Sequence, residues 1–130
     1  MENRKDIWFV DDDEIFRFIV KGMVEETIFA DRAAYFDDGD RAIMKMIELA
    51  KSGSKEPKIV FLDLSMKHLE GWQLIDLMNE FGTNTKVVIL TSSVGIKDRA
   101  RAEKEPLVQA YLTKPVDKSQ IVKCISNLAA

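Results

Sequence analysis

Short apolar runs alternate with longer stretches of helical spacing along this chain. The runs are Ile7–Val10 (IWFV), Ile59–Leu62 (IVFL), Val87–Leu90 (VVIL) and the weaker Ala110–Leu112, with Arg32–Phe36 (RAAYF) as a fifth candidate. The first three are continuous rather than alternating, which predicts strands buried on both faces of a parallel sheet. Between them, Ile15, Phe18, Ile19, Met23 and Val24 predict the buried face of a helix capped by Asp12 or Asp13. Ala42, Ile43, Met46, Ile47 and Ala50 repeat the spacing, and so do Leu74, Ile75 and Met78 after Gly71. Ile121, Val122, Ile125 and Leu128 follow a capping box from Asp117 to Gln120. Ile96–Lys104 is helical in propensity but polar, so it is expected to pack lightly. The sequence Asp37-Asp38-Gly39 and the sequence Ser52-Gly53-Ser54 break the chain as turns. The order (βα)5 predicts an α/β fold: a doubly wound, five-stranded parallel sheet with right-handed crossovers.

Composition narrows the class. The 130 residues are 46% hydrophobic and 32% charged, enough for one domain that folds without a disulfide or a structural metal. The single cysteine, Cys124, has no internal partner and is expected as a small buried apolar side chain in the last helix. A net charge of −3 argues against holding DNA or RNA by overall basicity, and no direct nucleic-acid contact is expected. Neither a secretory signal nor a membrane span of about 18 apolar residues is visible, so a cytoplasmic protein with no membrane contact is expected.

The polar residues that follow the strands carry the chemistry. Asp11, Asp12 and Asp13 follow the first run, Asp63 the third, Thr91-Ser92-Ser93 the fourth and Thr113-Lys114-Pro115 the fifth. Open α/β sheets bind ligands at the carboxyl ends of their strands, so these residues converge at one mouth. Clustered carboxylates raise one another's pKa or demand a cation. Their hard oxygen ligands suit Mg²⁺, with a lysine to pair a phosphate and a threonine hydroxyl to donate to it. A carboxylate in that setting is a nucleophile toward phosphorus, so Mg²⁺-assisted phosphoryl transfer onto an aspartate is expected.

From VDDDE at Val10 to KPVD at Lys114, four motifs stand in the order and spacing of a known family. The chain resembles the receiver domain of two-component response regulators, the CheY-like fold with strand order 2-1-3-4-5. The resemblance makes residues 1–130 a single receiver domain. It implies that Asp11 and Asp12 bind Mg²⁺, Asp12 more directly, and that Asp63 in FLDLSM is phosphorylated and shares the metal. It also implies that Ser65 supplies a backbone carbonyl to the metal. Thr91 in ILTSS matches the switch hydroxyl, Lys114 in TKP the phosphate-binding lysine and Tyr111 the aromatic switch position. Asp13 is then a loop or cap residue. The phosphoryl donor would be a sensor histidine kinase or a histidine phosphotransfer protein. The output would leave through the face formed by the fourth helix, fifth strand and fifth helix, and a homodimer is compatible with the resemblance. Ser65 and Ser93 would flank the phosphate and tune its lifetime. Lys114-Pro115 is a candidate cis bond, although cis is the minority state of an X-Pro bond.

Three departures from the family stand out. Met66-Lys67 replaces the usual Met-Pro, Leu69-Glu70-Gly71 replaces Met-Asp-Gly, and Glu105-Pro106 stands near the place of a Gly-Ala pair. Pro106 should end the fourth helix early. The switch motifs fill the chain up to Lys114, so only the last helix, and no output domain, is expected in the residues that follow.

Other readings compete with this one. A phosphohydrolase working through an aspartyl phosphate would carry a second Asp where Ser65 stands. A flavodoxin-like cofactor binder would need a phosphate loop in place of three aspartates. A pseudo-receiver acting only as a scaffold would not need the full set of Asp12, Asp63, Thr91 and Lys114. His68 reads as a surface residue, and Asp37–Asp40 as a turn and helix cap rather than a calcium loop. Trp8 reads as core and Trp72 as partly exposed. Lys97, Arg99, Arg101 and Lys104, interrupted by Asp98, Glu103 and Glu105, read as a solvated helix face.

Overall fold

A computed structural model describes residues 5–92 and 95–129. Five strands, β1 (Ile7–Val10), β2 (Ala33–Phe36), β3 (Ile59–Leu62), β4 (Lys86–Thr91) and β5 (Val108–Thr113), form one sheet in the order β2-β1-β3-β4-β5. Every pairing is parallel. The connecting helices are α1 (Glu14–Glu25), α2 (Gly39–Lys51), α3 (Gly71–Phe81), α4 (Ile96–Lys104) and α5 (Lys118–Leu128). The expected fold class and strand order are what the chain adopts.

Strand pleating divides the core in two. Ile7, Phe9, Ile59, Phe61, Val88 and Leu90 pack with Val20, Val24, Ile121 and Ile125 of α1 and α5. Trp8, Val10, Val60, Leu62, Val87 and Ile89 pack on the other side with Ala42, Met46, Leu74, Ile75 and Met78 of α2 and α3. Successive side chains of a strand point to opposite faces, so continuous apolar runs are what two covered faces require. Phe9 and Phe61 stack across β1 and β3 with centroids 4.6 Å apart, each burial contributing roughly 1.5–3 kcal/mol.

The helices start where sequence chemistry places them. Asp13 caps α1 by accepting from the amides of Ile15 and Phe16. Asp38 caps α2 through Arg41, and Asp117 with Gln120 closes a capping box on α5. The segment Asp37–Asp40 is therefore a turn and cap, as its spacing predicts. α4 ends at Lys104, just ahead of Pro106, and buries only Ala102.

Three expectations need correction. The first concerns α1, where Ile15, Phe18 and Ile19 are 72%, 77% and 48% exposed, and the buried residues are Val20 and Val24. Apolar residues at 15, 16, 18, 19, 20, 23 and 24 cover more than one face, so periodicity alone does not choose between them. The crossover onto the sheet selects the stripe through Phe16, Val20, Met23 and Val24. The second concerns Trp72, which is buried against the α2–α3 cluster because its indole Nε1–H donates to Asp98 Oδ1 at 2.9 Å. The third is Cys124, which is half-buried rather than buried.

At the opposite edge from the strand carboxyl ends, the buried Asp6 carboxylate accepts from Arg32 Nε at 2.9 Å and Nη2 at 3.1 Å. Arg32 Nη2 also donates to the Ala129 carbonyl, so one fork ties the starts of β1 and β2 to the end of α5. No helix among the described residues is long and apolar enough to cross a membrane.

Candidate functional site

Sheet register assembles the site. Val10 pairs with Leu62, so the next residues, Asp11 and Asp63, leave adjacent strands side by side. The Asp63 amide donates to the Val10 carbonyl, and the Asp11 amide to the Phe36 carbonyl. Thr91 pairs with Thr113 at the ends of β4 and β5, and the Lys114 amide then bonds the Thr91 carbonyl at 2.8 Å. The Lys114–Pro115 peptide is cis.

Three carboxylates converge. One oxygen from each of Asp11, Asp12 and Asp63 lies within 4.8 Å of the others, with Asp11 and Asp63 buried and Asp12 half-buried. The Lys114 ammonium sits 2.6 Å from Asp11 Oδ2 and 3.6 Å from Asp63 Oδ2. Asp11 Oδ1 accepts from the Asp13 amide, Asp63 Oδ1 from the Ser65 amide and Asp12 Oδ2 from the Lys67 amide. The proline usual in the resembled family at position 67 could make no such bond, because it has no N–H. Burial pushes the Asp11 carboxyl above its ordinary value, and the charge of Asp63 pushes the same way. The hydrogen bonds from Lys114 and the Asp13 amide pull it down. Three oxygen donors that concentrate negative charge fit a small hard divalent cation such as Mg²⁺.

The loop after Asp63 is shaped by a close approach. A Cβ on Gly71 would lie 2.6 Å from the Asp63 carbonyl oxygen and 2.7 Å from Leu64 Cα. Gly71 does not have a positive φ, so it is required for space rather than for a left-handed turn. Its amide donates to the Leu64 carbonyl, seating the start of α3 on the Asp63 loop.

Thr91 is fully buried at the end of β4. Tyr111 is half-buried on β5, paired with Ile89, and the Arg99 guanidinium lies 5.1 Å from its ring centroid. Ser65 is exposed beside Asp63, and His68 is exposed in the following loop. Ser93 lies outside the described residues. Asp13 faces its own helix as a cap, as expected.

Sequence reasoning missed two participants. The Phe16 ring lies 4.0 Å from Lys114 Nζ, and Trp72 bridges the site's rim to Asp98 on α4. An aromatic residue on the first turn of a helix that follows an acidic strand end could have flagged Phe16. Trp72 gave no comparable signal, since its partner lies 26 residues away.

Comparison with known proteins agrees with this fold. The sequence pattern of the response regulator receiver domain matches residues 7–126. Transcriptional regulatory protein PcoR of Escherichia coli is 27% identical over 118 residues, covering 91% of this chain and 48% of PcoR. Chemotaxis protein CheY of Halobacterium salinarum is 25% identical over 125 residues, covering 95% of this chain and 96% of that protein. The chain thus spans about half the length of PcoR and nearly all of CheY. The crystal structure of a two-component response regulator from Cytophaga hutchinsonii superposes with a TM-score of 0.78 at 28% identity, covering 94% of each chain.

Proposed function

The chain belongs to the response regulator receiver domain family, a signalling domain of two-component systems, and from that premise we propose that Asp63 accepts a phosphoryl group from a phosphohistidine. The donor is a sensor histidine kinase or a histidine phosphotransfer protein. The observation that carries this reading is the convergence of Asp63 with Asp11, Asp12 and Lys114 at one sheet edge.

In the transfer, an Asp63 carboxylate oxygen forms a bond to phosphorus as the donor's P–N bond breaks. The electron pair of that bond stays on the imidazole nitrogen, which takes up a proton. Asp11, Asp12 and Asp63, with the Ser65 backbone carbonyl, would hold Mg²⁺. When bound, the ion neutralises charge on the transferred group. Lys114 pairs with a phosphoryl oxygen as a point charge, and the Thr91 hydroxyl donates to another. Tyr111 turns with Thr91 and changes the α4–β5–α5 face, where a downstream protein reads the state. The domain thereby catalyses its own phosphorylation and slow dephosphorylation. Ser65 stands where a hydrolase would place a general acid, so Ser65, with Ser93, tunes the phosphate lifetime rather than driving turnover. We read the chain as one receiver domain working in the cytoplasm.

The exposed α1 face supports a contact on the donor side. Ile15 and Phe18 are exposed on α1, which starts two residues after Asp12, so a protein reaching Asp63 from this edge meets apolar surface first. Beryllofluoride, a phosphoryl mimic, tests the reading. With Mg²⁺ it should shift the NMR resonances of Thr91, Lys114 and Tyr111 in the wild type and leave Asp63→Asn unchanged. Silence in the wild type would contradict the reading.

A further inference from the structure

Lys114 is held on three sides. Asp11 Oδ2 lies 2.6 Å from the ammonium, Asp63 Oδ2 lies 3.6 Å away, and the Phe16 ring centroid lies 4.0 Å away. The Lys114 side chain is mostly shielded from water, with an exposure of 15%. Phe16 also lines a small cleft together with Asp11 and Asp63, the two residues that share the lysine. The negative face of an aromatic ring attracts a cation, and more strongly as the site is desolvated.

The ring's position is set by the start of its helix. Asp13 Oδ1 accepts from the Phe16 amide at 3.2 Å and from the Ile15 amide at 3.0 Å. The third aspartate of the run therefore acts on the site through the helix it caps, its side chain engaged with the amides of Ile15 and Phe16. Ring attraction is weakly directional compared with a hydrogen bond. A lysine resting on it can pivot from Asp11 toward new oxygens at Asp63 and keep one partner throughout.

We propose that Phe16 is a positioning residue for phosphoryl transfer, its ring face holding the Lys114 ammonium between Asp11 and Asp63. The role rests on the phosphoacceptor function of Asp63. It assigns the ring an electrostatic contribution that an aliphatic side chain of similar volume does not supply.

The test compares the wild type with Phe16→Leu, which keeps apolar volume, and Phe16→Tyr, which keeps the ring. Acetyl phosphate with Mg²⁺ serves as donor, its P–O bond breaking as acetate leaves, and intact mass follows the rate. Phe16→Leu should slow phosphorylation roughly three- to tenfold, and Phe16→Tyr should stay within about twofold of the wild type. A second readout needs no phosphoryl donor: the ring current should shift the Lys114 ε-methylene protons upfield in the wild type and Phe16→Tyr but not in Phe16→Leu. Thermal unfolding of each variant separates lost folding from lost positioning. Equal rates for wild type and Phe16→Leu, or a Phe16→Tyr as slow as Phe16→Leu, would overturn the role. A wild type that is never phosphorylated would overturn the phosphoacceptor reading and this role with it, whereas the methylene shift still reports whether Phe16 holds Lys114.

Discussion

The Lys114 ammonium lies 1.0 Å closer to Asp11 Oδ2, at 2.6 Å, than to Asp63 Oδ2, at 3.6 Å. In the described state the lysine thus compensates the buried Asp11 carboxylate first, and the phosphoacceptor is its second partner. Replacing it by Met leaves Asp11 without its cation in a site where burial already opposes its charge. Lys114→Met should destabilise the fold by on the order of 3 kcal/mol at neutral pH in the absence of divalent metal. Urea unfolding measures this, and adding Mg²⁺ should recover part of the loss by binding the folded state.

Gly71 and Gly22 should respond in opposite directions to the same change. A methyl on Gly71 meets the Asp63 carbonyl and Leu64 Cα below any normal contact distance, whereas nothing lies within 4 Å of one on Gly22. Gly71→Ala is expected to cost about 2–3 kcal/mol and to slow phosphorylation by displacing the Asp63 loop. Gly22→Ala, on exposed helix, is expected to stabilise by about 0.5–1 kcal/mol and leave phosphorylation unchanged. Thermal unfolding with acetyl phosphate labelling of both variants checks the pair.

α4 depends on polar clamps because it buries so little apolar surface. Trp72 Nε1–H bonds Asp98, the Arg101 guanidinium lies 4.4 Å from the Trp72 ring centroid, and Arg101 pairs with Asp76 at 3.0 Å. Trp72→Phe keeps an aromatic face but removes the donor and part of the buried indole, so it should cost about 1–3 kcal/mol. Amide hydrogen exchange should quicken across Ile96–Lys104 while the α5 amides stay protected. Unchanged exchange in α4 would mean that the clamp does not hold the helix.

Tyr35 gives the pH dependence its sign. Burial, with a smaller contribution from the charge of Glu25, pushes its phenol from an ordinary 10.0 up to about 12. Between those values the unfolded chain has released a proton that the folded chain keeps, so stability falls as pH rises through that window. Below it, Tyr35 adds no pH dependence. Ultraviolet titration of Tyr111→Phe, in which Tyr35 is the one remaining tyrosine, should place its ionisation well above that of a free phenol.

Much of this was legible in the sequence because the strong signals are local. Three continuous apolar runs located β1, β3 and the centre of β4, and the polar residue after each strand located the site. Distances in sequence hid the rest. The buried α1 stripe is not legible locally, because a helix apolar on more than one face leaves the choice to the sheet. Trp72 and the Asp6–Arg32 pair draw their meaning from partners 26 residues away, which no periodicity reveals. Gly71 is needed for space against the backbone of Asp63 and Leu64, a requirement visible only once α3 rests on the Asp63 loop.

The central claim is that Asp63 is the phosphoacceptor, and intact-mass spectrometry after incubation with acetyl phosphate tests it most directly. The wild type should gain the mass of one phosphoryl group in the presence of Mg²⁺, lose the gain when the metal is chelated, and show none as Asp63→Asn. A wild type that gains nothing with Mg²⁺, or an Asp63→Asn variant that gains the same mass, would contradict the account.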